Sequence, residues 1–192
     1  MIKVKSDDKK LIIDILSRSF DDNQSVNYIV KQDEKRIRRI RSLMDYSFEM
    51  CYQFGEVLLS DDRKACALIL YPHQKTTTLK SICLDIKLTI RAIGLRNIIK
   101  ALKREEKIKA KQSKIDMAYL WFIGVDPLYQ HKGIGSNLIQ QVIQHANDKN
   151  LSIYLETSTL KNIPWYERFG FQIYDELDLG YTLFFLKRNR DK

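Results

Sequence analysis

The chain has 192 residues, enough to bury a core without disulfide or metal staples, so one domain spanning 1–192 is the expectation. Apolar residues make up 44% and charged residues 30%, a balance that excludes a disordered or fibrous chain, and no Pro-, Gly- or Ser-rich tract reads as a linker. The net charge of +9 invites a nucleic-acid reading. Three widely separated cysteines, Cys51, Cys66 and Cys83, suggest neither a disulfide framework nor a cysteine-based zinc site and fit a reducing, cytoplasmic setting.

In chain order, "MIKVKSDD" has no apolar signal core and no window approaches bilayer-spanning length, so a soluble protein with no membrane partner is expected. Ile2 and Val4 alternate with Lys3 and Lys5 as in a half-buried strand, and Ser6-Asp7-Asp8 supplies a cap for a helix whose buried stripe is Leu11, Ile12, Ile15, Leu16 and Phe20. The polar stretch "DDNQSVN" separates it from a second helix starting at about Asp33, with Ile37, Ile40, Leu43, Met44, Phe48 and Cys51 at three-and-four spacing and Gly55 near its end. Glu56–Ser60 and Ala65–Tyr71, joined by "DDRK", read as an antiparallel hairpin closed by Pro72.

The segment from about 80 to 114 is helical and basic, with Ile82, Ile86, Ile90 and Ile93 on one row, Leu84, Leu88, Leu95, Ile98 and Leu102 on another, and Gly94 as a divider. Core packing is the favoured reading of its apolar rows, with a lid over a substrate pocket and a basic amphipathic helix on a membrane surface as the alternatives. The charge run Lys100 to Lys114 reads as a solvated face in preference to a nucleic-acid stripe, because no nucleic-acid motif accompanies it. From Ala118 the order is a strand "AYLWFIGV", a glycine-containing loop, an amphipathic helix over about 133–147, a strand "SIYLET", a short helix near "NIPWYERFG", and strands around "FQIYDEL" and "YTLFFLK". That alternation predicts a mixed α/β sheet.

The loop "VDPLYQHKGIG" joins a buried strand to a helix N-terminus, where free backbone N–H groups bind anions. Its glycines permit positive φ angles or the close approach of a phosphate. A Rossmann fingerprint is excluded because position 138, where its third glycine falls, is Leu138, and a P-loop is excluded by the absence of Gly-Lys-Ser/Thr. What remains, Gln-x-x-Gly-x-Gly before a helix and after "IGVDP", resembles the signature loop Arg/Gln-x-x-Gly-x-Gly/Ala of the GNAT superfamily of acetyl-CoA-dependent N-acetyltransferases. A second match, "YLETSTLKNIPWYERFGF" from Tyr154 to Phe171, resembles the family's fifth strand and its Asn-x-x-x-Tyr-Glu-x-x-Gly-Phe segment. Its wording is similar to that of antibiotic-acetylating members such as puromycin N-acetyltransferase.

The resemblance implies a single α/β (α+β) domain: a central mixed, mostly antiparallel twisted sheet of about seven strands with helices on both faces. A cofactor-binding core over about 118–187 and a variable acceptor-side insert over about 80–114 complete it. It further implies direct transfer of the acetyl group of acetyl-CoA to a primary amine of a small molecule or peptide. Pyrophosphate would lie on Gln130, His131, Lys132, Gly133, Ile134, Gly135 and Ser136. By the same resemblance the strand end at Ile123, Gly124 and Val125 would bulge away from the next strand and offer backbone groups to the pantetheine arm, with Gly124 suited to a bulge and Asn162 in contact with the coenzyme. Tyr166 is the candidate general acid, although with Trp165, Phe169 and Phe171 it also reads as aromatic core. Glu156 is the candidate general base, with orientation of the substrate ammonium or a plain surface role as alternatives. His73, His131 and His145 lack metal spacing and no metal is expected. A catalytically idle domain that binds CoA or a partner, nucleic-acid binding through Lys100 to Lys114, and a homodimer remain open.

Overall fold

The computed structural model describes residues 2–191, with the side chains of Ile2, Lys3, Ser6 and Arg96 outside the description. Seven strands form one sheet in the order β1-β2-β3-β4-β5-β7-β6, comprising β1 (Ile2–Lys3), β2 (Gly55–Leu59), β3 (Ala65–Leu70), β4 (Met117–Val125), β5 (Ser152–Thr157), β6 (Gln172–Asp178) and β7 (Thr182–Arg188). All neighbours are antiparallel except β4 and β5. The mixed sheet is as the order of elements predicts, and its mostly antiparallel pairing is as the resemblance implies.

Helices cover both faces. On one lie α1 (Lys9–Ser19) and α3 (Arg36–Phe54), which bury Ile12, Ile15, Leu16, Ile40, Met44 and Phe48 against Leu68 and Phe122. On the other, α6 (Ile134–Asp148) and α7 (Ile163–Glu167) bury Leu138, Ile139, Val142, Ile163 and Tyr166 against Leu120, Leu155 and Leu186. Ala118 and Leu120 of β4 meet the second core and Tyr119 the first, and a register shift at Trp121 reverses the parity, so that Phe122 meets the first core and Ile123 the second. The β2–β3 hairpin pairs Gly55 with Leu70 through Leu59 with Cys66, as expected for two apolar runs joined by a polar turn.

Several boundaries and environments differ from the expectations. The polar stretch after α1 contains a short helix, α2 (Gln24–Ile29), whose N-terminus is capped by Asn23 accepting from the Val26 N–H at 3.0 Å. α3 starts at Arg36, because Asp33 instead closes a turn and holds Arg39 at 2.6 Å. Asp8 does not cap α1 through its side chain. Its carboxylate accepts from the Lys5 N–H and pairs with Arg63, which together hold it below the usual carboxylate range.

The largest departure lies between β3 and β4, where α4 (Leu79–Leu88), a π-helical turn over Thr89–Ile93 and α5 (Ile98–Lys111) follow one another. Gly94 divides them as expected, at φ 76°. Core packing does not describe this segment. Leu84, Ala92, Ile93 and Ile108 are buried, but Leu79, Ile82, Ile86, Ile90, Leu95, Ile99 and Leu102 are exposed. A helix lying on the sheet's helical layer covers one stripe, and these residues occupy the opposite side. Cys51 and Cys66 are buried free thiols, pushed above the usual range by burial, and Cys83 is exposed. Among the described residues no group of three or more His, Cys, Asp and Glu forms a metal site, and no helix is long and apolar enough to cross a membrane.

Candidate functional site

The site is built where β4 and β5 part. Their parallel pairing runs only from Met117–Ser152 to Tyr119–Tyr154, so Leu120 to Val125 leaves β5 while staying paired with β3. Two neighbouring parallel strands that diverge present backbone N–H and C=O groups to the gap between them. Ile123, Gly124 and Val125 lie on this departing stretch, still opposite Ala67, Cys66 and Ala65 of β3. The bulge expected at Gly124 is elsewhere: the β3–β4 register shifts between Leu68 and Ile69, opposite Leu120 to Phe122, which leaves Trp121 as the extra residue. Gly124 has a different reason to be glycine, because a Cβ there would come within 3.1 Å of both Leu16 Cδ2 and Ser19 Oγ of α1.

After β4, Asp126 turns the chain. It accepts from the Leu128 N–H and pairs with Arg18 at 2.8 Å, while the Val125 carbonyl accepts from Ser19 Oγ at 2.7 Å and from Gln130 Nε2 at 3.2 Å. His131 and Gly133 then take left-handed φ angles of 63° and 80°. α6 begins at Ile134 rather than Gly133, which is its N-cap. The first helical hydrogen bond is Asn137 N–H to the Gly133 carbonyl. Among the described residues no backbone N–H from Gln130 to Ser136 donates to a protein group, so the first turn of α6 offers its donors and its positive dipole end outward. A Cβ built on Gly133 meets nothing within 4 Å, whereas one on Gly135 comes within 3.2 Å of Val125 Cγ2 and 3.8 Å of Trp165 Cζ2. Lys132, over the Tyr129 ring at 5.1 Å, and Lys64, over the same ring at 4.2 Å, add positive charge beside this loop. A cradle of open N–H groups with flanking cations suits a pyrophosphate.

The second motif packs against the first. Trp165 Nε1 donates to Ser136 Oγ at 3.2 Å, and the Trp165, Tyr166, Phe169 and Phe171 rings meet edge to face at 4.8 to 5.5 Å. Tyr166 is both core and candidate acid: its ring is buried, burial pushes its phenol well above the usual range, and no described residue hydrogen-bonds its hydroxyl. It therefore keeps its proton at neutral pH. Asn162 ends the turn before α7, half-buried, and its side chain hydrogen-bonds no described residue.

Glu156 is a half-buried residue of β5, on the face opposite Leu155, and is not a surface strand end. Its carboxylate accepts from Gln112 Nε2 at 2.9 Å and from the Tyr119 hydroxyl. Burial raises its pKa above the ordinary value, against the lowering effect of those two hydrogen bonds, and the Tyr119 phenol is pushed up in turn by burial and by the Glu156 charge. Sequence reasoning missed Gln112, Tyr119 and Arg104. Arg104 reaches Ser25 Oγ at 2.5 Å and the Tyr181 hydroxyl at 3.3 Å, Lys100 stands over the Tyr28 ring at 3.7 Å, and Lys111 pairs with Asp175 at 2.6 Å. These bonds strap α5 across α2 and the β6–β7 hairpin, on the side where Glu156 points. His73 and His145 lie away from the loop, the latter 3.3 Å from Glu56.

Residues 99–171 match the model of the Acetyltransferase (GNAT) family. An uncharacterized N-acetyltransferase of Schizosaccharomyces pombe is 43% identical over 53 residues, 28% of this chain and 22% of that protein, so the matched stretch spans less than a quarter of that relative. Among solved structures, a histone acetyltransferase HPA2 and related acetyltransferase of Corynebacterium glutamicum superposes with a TM-score of 0.71 at 16% identity, covering 100% of this chain and 96% of that one. The C-terminal condensation domain of Ebony, solved with beta-alanyl-dopamine, gives 0.72 at 8% identity over 97% and 96%. At these identities the likeness is one of fold.

Proposed function

We propose that the protein is an acetyl-CoA-dependent N-acetyltransferase that acts by direct transfer to a primary amine of a small molecule or peptide. The observation that carries this reading is the run from Gln130 to Ser136, whose backbone N–H groups have no acceptor among the described residues and which includes the left-handed Gly133 as the N-cap of α6. Bound there, the acetyl donor supplies an activated thioester. The residues of the chain position it and manage protons. Gln130 to Ser136 hold the pyrophosphate, with Lys132 beside it, while the free edge of Ile123, Gly124 and Val125 and the side chain of Asn162 line the arm.

Glu156 then takes a proton from the acceptor ammonium or orients it, its raised pKa bringing the carboxylate toward the pH at which an amine must be deprotonated. Tyr166, a phenol that carries its proton at neutral pH, donates to the departing thiolate. The acceptor enters from the face closed by α5, where Glu156, Tyr119 and Arg104 lie. The lid reading of the insert is supported by the ties from Arg104 and Lys100 to α2 and the β6–β7 hairpin.

The test is thermal stability against acetyl-CoA concentration. At a hundredfold excess over the dissociation constant the gain is about 2.7 kcal/mol. A Gly135→Trp variant, which fills the space between Val125 and Trp165, loses that gain. An unshifted wild-type protein contradicts the reading, and free-thiol release across a panel of polyamines, aminoglycosides, nucleoside antibiotics and peptide N-termini identifies the acceptor.

A further inference from the structure

The face formed by α3 and α4 carries two features that acyl transfer does not use. α4 is apolar on opposite sides. Leu84 is buried and Leu88 partly buried against the α3 core, while Leu79, Ile82, Ile86 and Ile90, spaced as one helical row, are 84%, 43%, 55% and 63% exposed. A helix on a protein surface needs only the first stripe. Ile90 also lines a shallow cleft of about 190 Å³ whose other residues are Lys35, Arg38, Arg39 and Arg91. Arg39 is held by Asp33 at 2.6 Å, but Lys35, Arg38 and Arg91 are exposed and their side chains pair with no described residue. The nearby acidic residues Asp45 and Glu49 are matched by Lys87 at 2.6 Å and Lys80 at 2.9 Å, leaving two exposed acids, Glu34 beside Lys35 and Asp85, which accepts from the Tyr46 hydroxyl at 2.7 Å. The surrounding segment 80–114 holds eleven Lys and Arg against three Asp and Glu.

We propose that this face docks on the surface of an anionic phospholipid bilayer, with lipid phosphates in the Lys35, Arg38, Arg91 cleft and the Leu79, Ile82, Ile86, Ile90 row in the headgroup boundary. A basic cleft that shares a wall with an apolar row matches a surface that is negative outside and hydrocarbon beneath. Guanidinium groups suit phosphate by their planar pair of donors. A second copy fits poorly, since a two-fold contact would bring the same unpaired cations toward one another. Nucleic acid fits poorly too, because Ile and Leu neither stack on bases nor hydrogen-bond with them. Hydropathy windows miss such a face, because they register spanning segments and not one side of a helix.

The experiment sediments the full chain with vesicles of phosphatidylcholine alone and of phosphatidylcholine mixed with phosphatidylglycerol. Binding to the mixed vesicles is expected, weakened more than about tenfold both by Arg38→Glu with Arg91→Glu and by Ile86→Asp with Ile90→Asp, and reduced by salt. All four positions are exposed, and circular dichroism checks that each pair of substitutions leaves the fold intact. Equal binding to both vesicle types, no binding, or binding untouched by either pair overturns the proposal. So does a wild-type dimer that the Ile86→Asp, Ile90→Asp pair makes monomeric without any vesicle binding, which assigns the face to a second copy. Tight binding to duplex DNA in the absence of vesicle binding assigns it to nucleic acid.

Discussion

Gly133 offers a clean separation of backbone need from ligand space. Its φ of 80° is left-handed, and a Cβ there meets nothing within 4 Å. A Gly133→Ala change therefore creates no clash in the protein but forces an L residue into the left-handed region, at a cost of about 1–2 kcal/mol. At this chain length the melting temperature falls by about 2–4 °C per kcal/mol. On the proposed function, the new methyl group enters open space beside the N–H groups of Ile134, Gly135 and Ser136, which the pyrophosphate would fill. Displacing one charge-assisted N–H contact to a phosphate costs about 1.5–3 kcal/mol, or about 10- to 150-fold in the dissociation constant. Gly133→Asn distinguishes the two effects, because Asn tolerates the left-handed region but still fills the space. Calorimetry with and without acetyl-CoA is expected to show Asn regaining most of the stability and none of the affinity. Recovery of affinity together with stability would refute the reasoning that the open side of Gly133 is ligand space, and an Ala variant as stable as the wild type would refute the left-handed backbone.

Three further outcomes are expected. Glu156→Gln slows acetyl transfer by about 10²–10⁴-fold if the carboxylate is the base, while donor affinity stays within twofold of wild type. Because the folded carboxyl has its pKa raised above 4.5 by burial, the stability that it contributes is complete below that value and is lost as pH rises through the folded value; unfolding curves of the Gln variant are then flatter across that window, and parallel curves contradict the assignment. Tyr166→Phe removes a hydroxyl that no described residue bonds, so stability changes by less than about 0.5 kcal/mol while turnover falls, and unchanged turnover rules out the acid role. Phe171→Ala empties a site only 1% exposed beneath Tyr166, costing about 3–5 kcal/mol by denaturant titration.

The turn at the start of α6 was legible because its geometry is local. Gly133 and Gly135 at that spacing after a strand, and Trp165 and Tyr166 some thirty residues later, carry their meaning in composition and order, and the structure brings Trp165 onto Ser136 at 3.2 Å. The hairpin, Gly94 and the alternation of strands were legible for the same reason. The environment of Glu156 was not, since Gln112 and Tyr119 reach it from 44 and 37 residues away. Nor was the solvent exposure of Ile86 and Ile90: a second apolar row on a helix looks identical in sequence whether or not another element covers it. The signal available for it was the excess of apolar positions in a helix already carrying Leu84 and Leu88.

The sequence by itself determined the order of elements, the mixed sheet and the glycine turn at the start of α6, because periodicity, turn residues and glycine conformation are properties of a few neighbouring residues. Tertiary structure alone decided that Gly124 lies against α1 and away from the β3–β4 bulge, that the parting of β4 from β5 begins after Tyr119, that α5 is tied down over Glu156, and that the α3–α4 face is left apolar and basic together. Each of these depends on which surfaces meet across long stretches of chain, and contact of that kind is fixed only once the core has closed.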